Sequence, residues 1–353
     1  MQSIAFNEKG RNLLKARQPV IADVARAAAV STATVSRALN GSSLVSPEMR
    51  ARVQRVAREL NYQMHSGARN LRRQRTEIVA LVIRSPWWSI SDPFLSQFAA
   101  EISIVLKEHG YDLLIAHHDQ PDERWIDRLV RGRRVDGLIL IDRAEIDPEL
   151  TVLTETGIPF VVLGRHLAGH TYHTTGLDNN EGGYLAGRHL VELGHRRIAT
   201  ITGPLDQVAA RDRFDGFRRA LAESGVCLPN EAVIQTDYRS ETARAAMAQL
   251  LDQTLQYTAV FIFSDFMSIA ALDVIHQRGL VVPKDLSIVS FDDIPLATYV
   301  SPPLTTVRSE MKQFGHCIAT QLLEIIEERD VEDILVPVSL IVRGSAAHPP
   351  EDQ

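Results

Sequence analysis

The sequence predicts an α/β protein: a small helical head, a polar linker, and a large core of parallel sheets in two lobes. Three observations carry this. Charge is split along the chain: residues 1–76 hold 14 Lys/Arg against 4 Asp/Glu, and the rest holds 24 against 40. Residues 19–60 read as three short capped helices. From Glu77 onward, buried apolar runs alternate with amphipathic stretches, the pattern of parallel strands joined by helices. A core of about 270 residues is long for one sheet, so two lobes are expected.

The predicted organisation is an N-terminal extension (1–18), a head (19–62), a hinge (63–76), a core (77–346) and a tail (347–353). Residues 1–18 show no sustained period. Ile21, Val24, Ala25 and Ala28 fall at helical spacing. Ser31 can cap a second helix over Thr32–Leu39, which Asn40–Gly41 ends. Ser46 can cap a third, with Pro47 at its first position and Met49, Val53, Val56 and Leu60 on its apolar face. Residues 61–76 are polar and basic and read as a linker. In the core the expected strands are Ile78–Ile83, Asp112–Ala116, Gly137–Ile141, Phe160–Leu163, Arg197–Thr202, Ala259–Phe263 and Leu286–Phe291. Helices between them include Phe94–His109, Glu181–Leu193, Arg213–Ser224 and Glu241–Leu251. Gly157-Ile-Pro159 and Gly279-Leu-Val-Val-Pro283 hold similar places in their halves, which points to duplicated lobes.

Composition narrows the function. With 45% hydrophobic and 23% charged residues the chain is ordinary globular protein, which excludes wholesale disorder and collagen-like structure. No stretch approaches 18 uninterrupted apolar residues, so no membrane span is expected. The N-terminus lacks the apolar run of a secretory signal. Cys227 and Cys317 form no redox or metal spacing. A cytoplasmic, reduced protein is the expected setting. The basic head on an acidic body implies a polyanion partner for the head alone.

Two short helices joined by a tight turn, then a third, make a helix-turn-helix candidate. Ala25, Ala28 and Ala29 let the first two helices approach, and Val24, Val30 and Val35 fill a small core. Thr32, Ala33, Ser36 and Arg37 lie on the early, outward part of the second helix. Arg37 can donate two bonds to guanine, and Thr32 and Ala33 can touch a thymine methyl. Ser31 and Ser36 suit phosphate contacts better.

The segment VIADVARAAAVSTATVSRALNGSSLVSPEMRARVQRVARELNY resembles the DNA-binding head of the lac/purine repressor family of bacterial transcription regulators. The family pattern I-x-D-V-A-x-x-A-G-V-S-x-x-T-V-S-R-x-L-N is matched from Ile21 to Asn40, except that Ala29 stands where glycine is usual. A left-handed turn there costs alanine about 1 kcal/mol. Tyr62, Ala68, Arg69 and Leu71 match the family hinge. The resemblance implies that this segment becomes a short helix on DNA. It would wedge Leu71 into the minor groove, with Arg69, Arg72, Arg73 and Arg75 on phosphates. Alone, so short a helix is marginal in water.

The resemblance runs to about residue 345 and implies a core similar to periplasmic sugar-binding proteins, with a ligand in the cleft between lobes. It carries over effector contacts one at a time. Arg213 in ARDRFDGF matches the effector-binding arginine, whose fork can grip two acceptors. Asp292 in SFDDI matches the acid at a strand end. Phe94 in DPFLSQF sits where an aromatic meets the ligand ring, and Tyr238 occupies a second stacking position. Ser264 in FSDFM stands where a longer pocket asparagine is common. Asp142 and Arg165 end strands of the first lobe and can also reach the cleft. Trp87 and Trp88 lie near its mouth, where sugar stacking and a dimer contact are equally open readings. Arg213 and Asp292 have an alternative as a purely structural pair.

Enzymatic readings fare worse. Histidines such as His117, His118, His166, His170 and His173 form no helical metal pair with a third ligand. There is no G-x-S-x-G elbow, P-loop or dinucleotide fingerprint. No cofactor or metal is expected. The expected function is a homodimeric transcription regulator, with repression the expected mode. It binds pseudo-palindromic operator DNA under control of a small molecule, a sugar or glycoside in preference to a purine. The other readings are a solute-binding protein with an incidental head, and a sugar-modifying enzyme.

Overall fold

The computed structural model describes residues 19–40, 42–62, 75–84, 90–118, 124–141, 148–165, 171–253 and 257–350. The expectations for residues 1–18, the hinge residues Arg69, Leu71, Arg72 and Arg73, and Trp87, Trp88 and Asp142 lie outside them. Two compact units divide at Arg75/Thr76.

The first unit holds α1 (Ile21–Ala27), α2 (Thr32–Leu39) and α3 (Pro47–Glu59). Capping sets each start. The Asp23 carboxylate accepts from Val20 N at 2.9 Å. Ser31 Oγ accepts from Thr34 N at 3.1 Å, and Ser46 Oγ from Met49 N at 3.3 Å. After α1 the chain turns through Ala29 at φ 51°, while Val30 N donates to Ala25 O at 2.9 Å, a Schellman closure. Val24, Ala28, Val35, Ala38 and Val53 are wholly buried in one small core, with Val30 only partly buried beside it.

The second unit contains two six-stranded sheets. The strands of the first are β1 (Ile78–Ile83), β2 (Asp112–His117), β3 (Gly137–Ile141), β4 (Phe160–Leu163), β5 (His173–Leu177) and β11 (Ile334–Val336), in the order β11-β5-β4-β3-β1-β2. Those of the second are β6 (Ile198–Thr202), β7 (Val233–Gln235), β8 (Ala259–Ile262), β9 (Ser287–Asp292), β10 (Thr305–Arg308) and β12 (Ser339–Ile341), in the order β12-β10-β9-β8-β6-β7. The two orders have the same wiring, so the lobes repeat one topology. Pairing is parallel except between β10 and β12. Strands that bury both faces need helices on both, and β1 shows this. Val79, Leu81 and Ile83 pack against α4 (Pro93–Glu108) and α11 (Met311–Ile326). Ala80 and Val82 face the opposite layer with Trp125, Leu129, Leu150 and Leu153. The second sheet is covered on one face by α7 (Asn179–Glu192) and α8 (Val208–Glu223). Its other face carries α9 (Ser240–Leu251) and α10 (Asp265–Gln277).

The chain passes between lobes three times: at Asp178, at Ser309–Glu310 and at Pro337–Val338. Several expected boundaries move. α8 begins at Val208 rather than Arg213, so Arg213 lies inside the helix instead of at its start. β5, β7, β10, β11 and β12 were not among the expected strands.

Candidate functional site: a head helix and an interlobe cleft

In the head, α2 presents Ser31, Thr32, Ala33 and Arg37 to solvent. Ser31 is also the helix cap, and its Oγ lies 2.9 Å from Thr34 Oγ1. Ser36 is half-buried, and the Asn40 amide reaches it, donating to its carbonyl at 2.8 Å and its hydroxyl at 3.4 Å. The exposed face is therefore Thr32, Ala33 and Arg37, with Ser36 turned partly toward the helix end.

In the core, Phe94, Arg213, Tyr238, Ser264 and Asp292 all line one cleft. They come from both lobes and from the carboxyl ends of the parallel strands, where open α/β sheets place ligands. The same wall includes Asp92, Leu163, Gly164, Asn179, Gln207 and Val208.

Arg213 is buried in α8. Its Nε and Nη2 donate to Asn179 Oδ1 at 3.3 and 2.8 Å, and its Nη1 donates to Phe263 O. Its guanidinium carbon lies 3.3 Å from the Phe291 ring centroid, a cation–π contact. Much of the fork is thus held by the protein, and the residue lines the cleft wall. Burial pulls the arginine below its usual pKa, while Tyr238, Asp292 and Asp265 push the other way. No direct ion pair joins Arg213 to Asp292, so the purely structural pairing does not form.

Asp292 ends β9 at φ 110°. Burial raises its carboxyl well above the usual range; Arg213 opposes this, and Asp265 and Asp92 add to it. Its carboxyl lines the cleft wall within reach of a bound molecule. Asp293, beside it, is taken by Arg308 Nε at 2.7 Å and Arg343 Nη2 at 2.6 Å. The adjacent acids therefore do not act as a pair of free carboxylates.

Phe94 is half-buried and ends an aromatic row, 6.2 Å from Phe98, which lies 4.7 Å from Phe314. Tyr238 has φ 65° and its ring covers Gly203. Ser264 caps α10, its Oγ accepting from Met267 N at 3.2 Å, which leaves the hydroxyl its proton and one lone pair to offer. Arg165 does not turn to the cleft interior: its Nε bonds Asp212 Oδ2 at 2.6 Å. Asp92, Asn179 and Gln207 were missed. The signal for Asp92 was present, since Asp92-Pro93 is a helix start of the kind recognised at Ser46-Pro47, and Asp92 Oδ1 accepts from Phe94 N at 2.8 Å.

Residues 20–64 match the model of bacterial regulatory proteins of the lacI family, and residues 188–346 match a periplasmic binding protein-like domain. The HTH-type transcriptional regulator CelR of Thermobifida fusca is 36% identical over 337 residues, covering 93% of this chain and 98% of that one. The chain belongs to the lacI family. It is a helix-turn-helix, DNA-binding transcription regulator, and its family is made up of such regulators rather than enzymes. Among solved structures, a CelR–cellobiose complex matches with TM-score 0.71 and 34% identity, over 93% of this chain and 99% of that one. A lac repressor dimer bound to operator and the anti-inducer ONPF matches with TM-score 0.83 and 27% identity, over 94% and 100%. Among the described residues of this LacI-family chain, no helix is long and apolar enough to cross a membrane, and no cluster of His, Cys, Asp and Glu could hold a metal ion.

Proposed function

We propose that this chain is a cytoplasmic, homodimeric repressor whose operator affinity is set by a sugar bound in the interlobe cleft. The observation that carries this is the convergence of Phe94, Tyr238, Arg213, Asp92 and Asp292 on one cleft from both lobes. Aromatic faces suit the apolar faces of sugar rings, while the arginine and carboxyls suit their hydroxyls. The cellobiose held by the similar CelR makes a β-linked glucose disaccharide the first choice.

A two-fold dimer reads matched half-sites. Thr32, Ala33 and Arg37 meet bases, and Ser31 and Ser36 meet phosphates. The hinge roles of Arg69, Leu71 and Arg72 rest on the family resemblance alone. The sugar acts by binding one pose of the lobes better than the other.

Calorimetric titration of the full-length protein with cellobiose, other sugars and purine bases tests the ligand class. One sugar binds the wild type, and Asp292→Asn and Arg213→Ala each bind it about tenfold or more weakly while unfolding near the wild-type temperature. Saturable binding of a purine in place of every sugar would overturn the sugar reading, and variants that bind normally would remove these residues from the site.

A further inference from the structure

We propose that Asp293 is a positioning residue of the cleft: clamped between Arg308 and Arg343, it holds the turn that aims Asp292 at the ligand and ties that turn to two of the lobe crossovers. This rests on the reading of the cleft as an effector site.

The backbone at the end of β9 is unusual. Asp292 and Asp293 are consecutive non-glycine residues with φ of 110° and 57°. Such conformations persist only where the surroundings over-determine them. The surroundings here are two guanidinium groups on one carboxylate. The Asp293 side chain is 7% exposed; Arg308 Nε donates to its Oδ2 at 2.7 Å, and Arg343 Nη2 lies 2.6 Å from its Oδ1. Arg343 is itself fixed, donating Nη1 to Leu304 O at 2.9 Å and its backbone N to Thr305 Oγ1 at 2.9 Å.

Arg308 stands next to one passage between lobes, and Arg343 lies at the far end of the short strand that follows another. Arg308 ends β10, and Ser309–Glu310 then carries the chain into α11 of the first lobe. Ser309 N also donates to Asp292 O at 3.2 Å. Arg343 follows β12, the strand entered through Pro337–Val338 from β11 of the other lobe. A shift of Asp292 toward a ligand therefore moves the residue clamped directly to one crossover at Arg308 and, through Arg343 and β12, to the strand that leaves another. Fixed salt links of this kind transmit position because a buried carboxylate cannot leave its partners cheaply.

The test is amide hydrogen exchange on the full-length wild type and Asp293→Asn, joined to a double-mutant cycle with Asp292→Asn read by cellobiose affinity. Exchange at the amides of Ser309, Glu310 and Val338 becomes about tenfold faster in Asp293→Asn, with the head unchanged. Each single variant weakens cellobiose binding about tenfold or more, and the double variant is no weaker than Asp292→Asn alone. Crossover exchange at wild-type rates, or losses that multiply in the double variant, would overturn the proposal. If Asp293→Asn does not fold, Arg308→Gln, at a partly exposed position, carries the same comparison. If the wild type binds no cellobiose, that choice of sugar fails, and the exchange rates alone decide the role of Asp293.

Discussion

At the scale of single residues, burial decides the chemistry. Asp265 is wholly buried at the start of α10, with its carboxylate accepting from Thr306 Oγ1 at 2.7 Å and Ile294 N at 2.8 Å. Burial outweighs these donors and pushes its pKa up to about 6 from 3.8. The folded state thus keeps a proton that the unfolded chain has lost. This contribution to stability is present below about pH 4 and fades as pH rises through about 6, by about 2–3 kcal/mol at most. Urea unfolding from about pH 4 to 7.5 should show that slope, and Asp265→Asn should flatten it. Asp292, also raised, keeps its own share, so the difference between the two proteins is the measure. A variant with the wild-type slope would contradict the assignment. On the head, Arg37→Ala should cost about 1–3 kcal/mol at one base position per half-site. Competition between operator and random duplex reads it; equal loss on both would make Arg37 a phosphate contact.

Among elements, the turn between α1 and α2 offers the sharpest case. Ala29 holds φ 51°, which glycine adopts freely and alanine does not. Ala29→Gly should therefore stabilise the head by about 1 kcal/mol, slowing amide exchange at Val24 and Val35 in the full chain about fivefold. Unchanged or faster exchange would show that the turn is not strained. In the core, α7 and α8 cross closely because Gly183 and Gly216 lack side chains. A Cβ at Gly183 would lie 1.9 Å from Arg213 O, and one at Gly216 would lie 1.8 Å from Asn180 O. That crossing brings Asn179 and Arg213 together. The same scale shows what the chain text revealed. Caps at Ser31 and Ser46-Pro47 marked the head helices, and runs buried on both faces marked β1 and β3. β5 (HTTGL) and β10 (TTVR) were hidden because their buried threonines look polar. Thr175 bonds Gln321 and Thr306 bonds Asp265, partners distant in sequence. β7, β11 and β12 have three residues each, too few for a periodic signal. In the site, resemblance placed Arg213 and Asp292, whereas Asn179 and Gln207 carry no local motif.

For the whole molecule, charge and topology divide the work. The basic first 76 residues include the DNA-binding head, and the acidic remainder folds into two lobes of one repeated wiring joined by three crossovers. A ligand contacting both lobes can bias their pose, and operator binding depends on that pose only if the two states differ in affinity for both partners. The central claim is this linkage. The direct measurement is selection of random duplex DNA on the purified full-length protein, repeated with cellobiose and a panel of other sugars. Linkage predicts a two-fold symmetric motif whose recovery changes with one sugar and not with the rest. Recovery of sequence-independent, salt-sensitive binding alone, unaltered by any sugar, would contradict it.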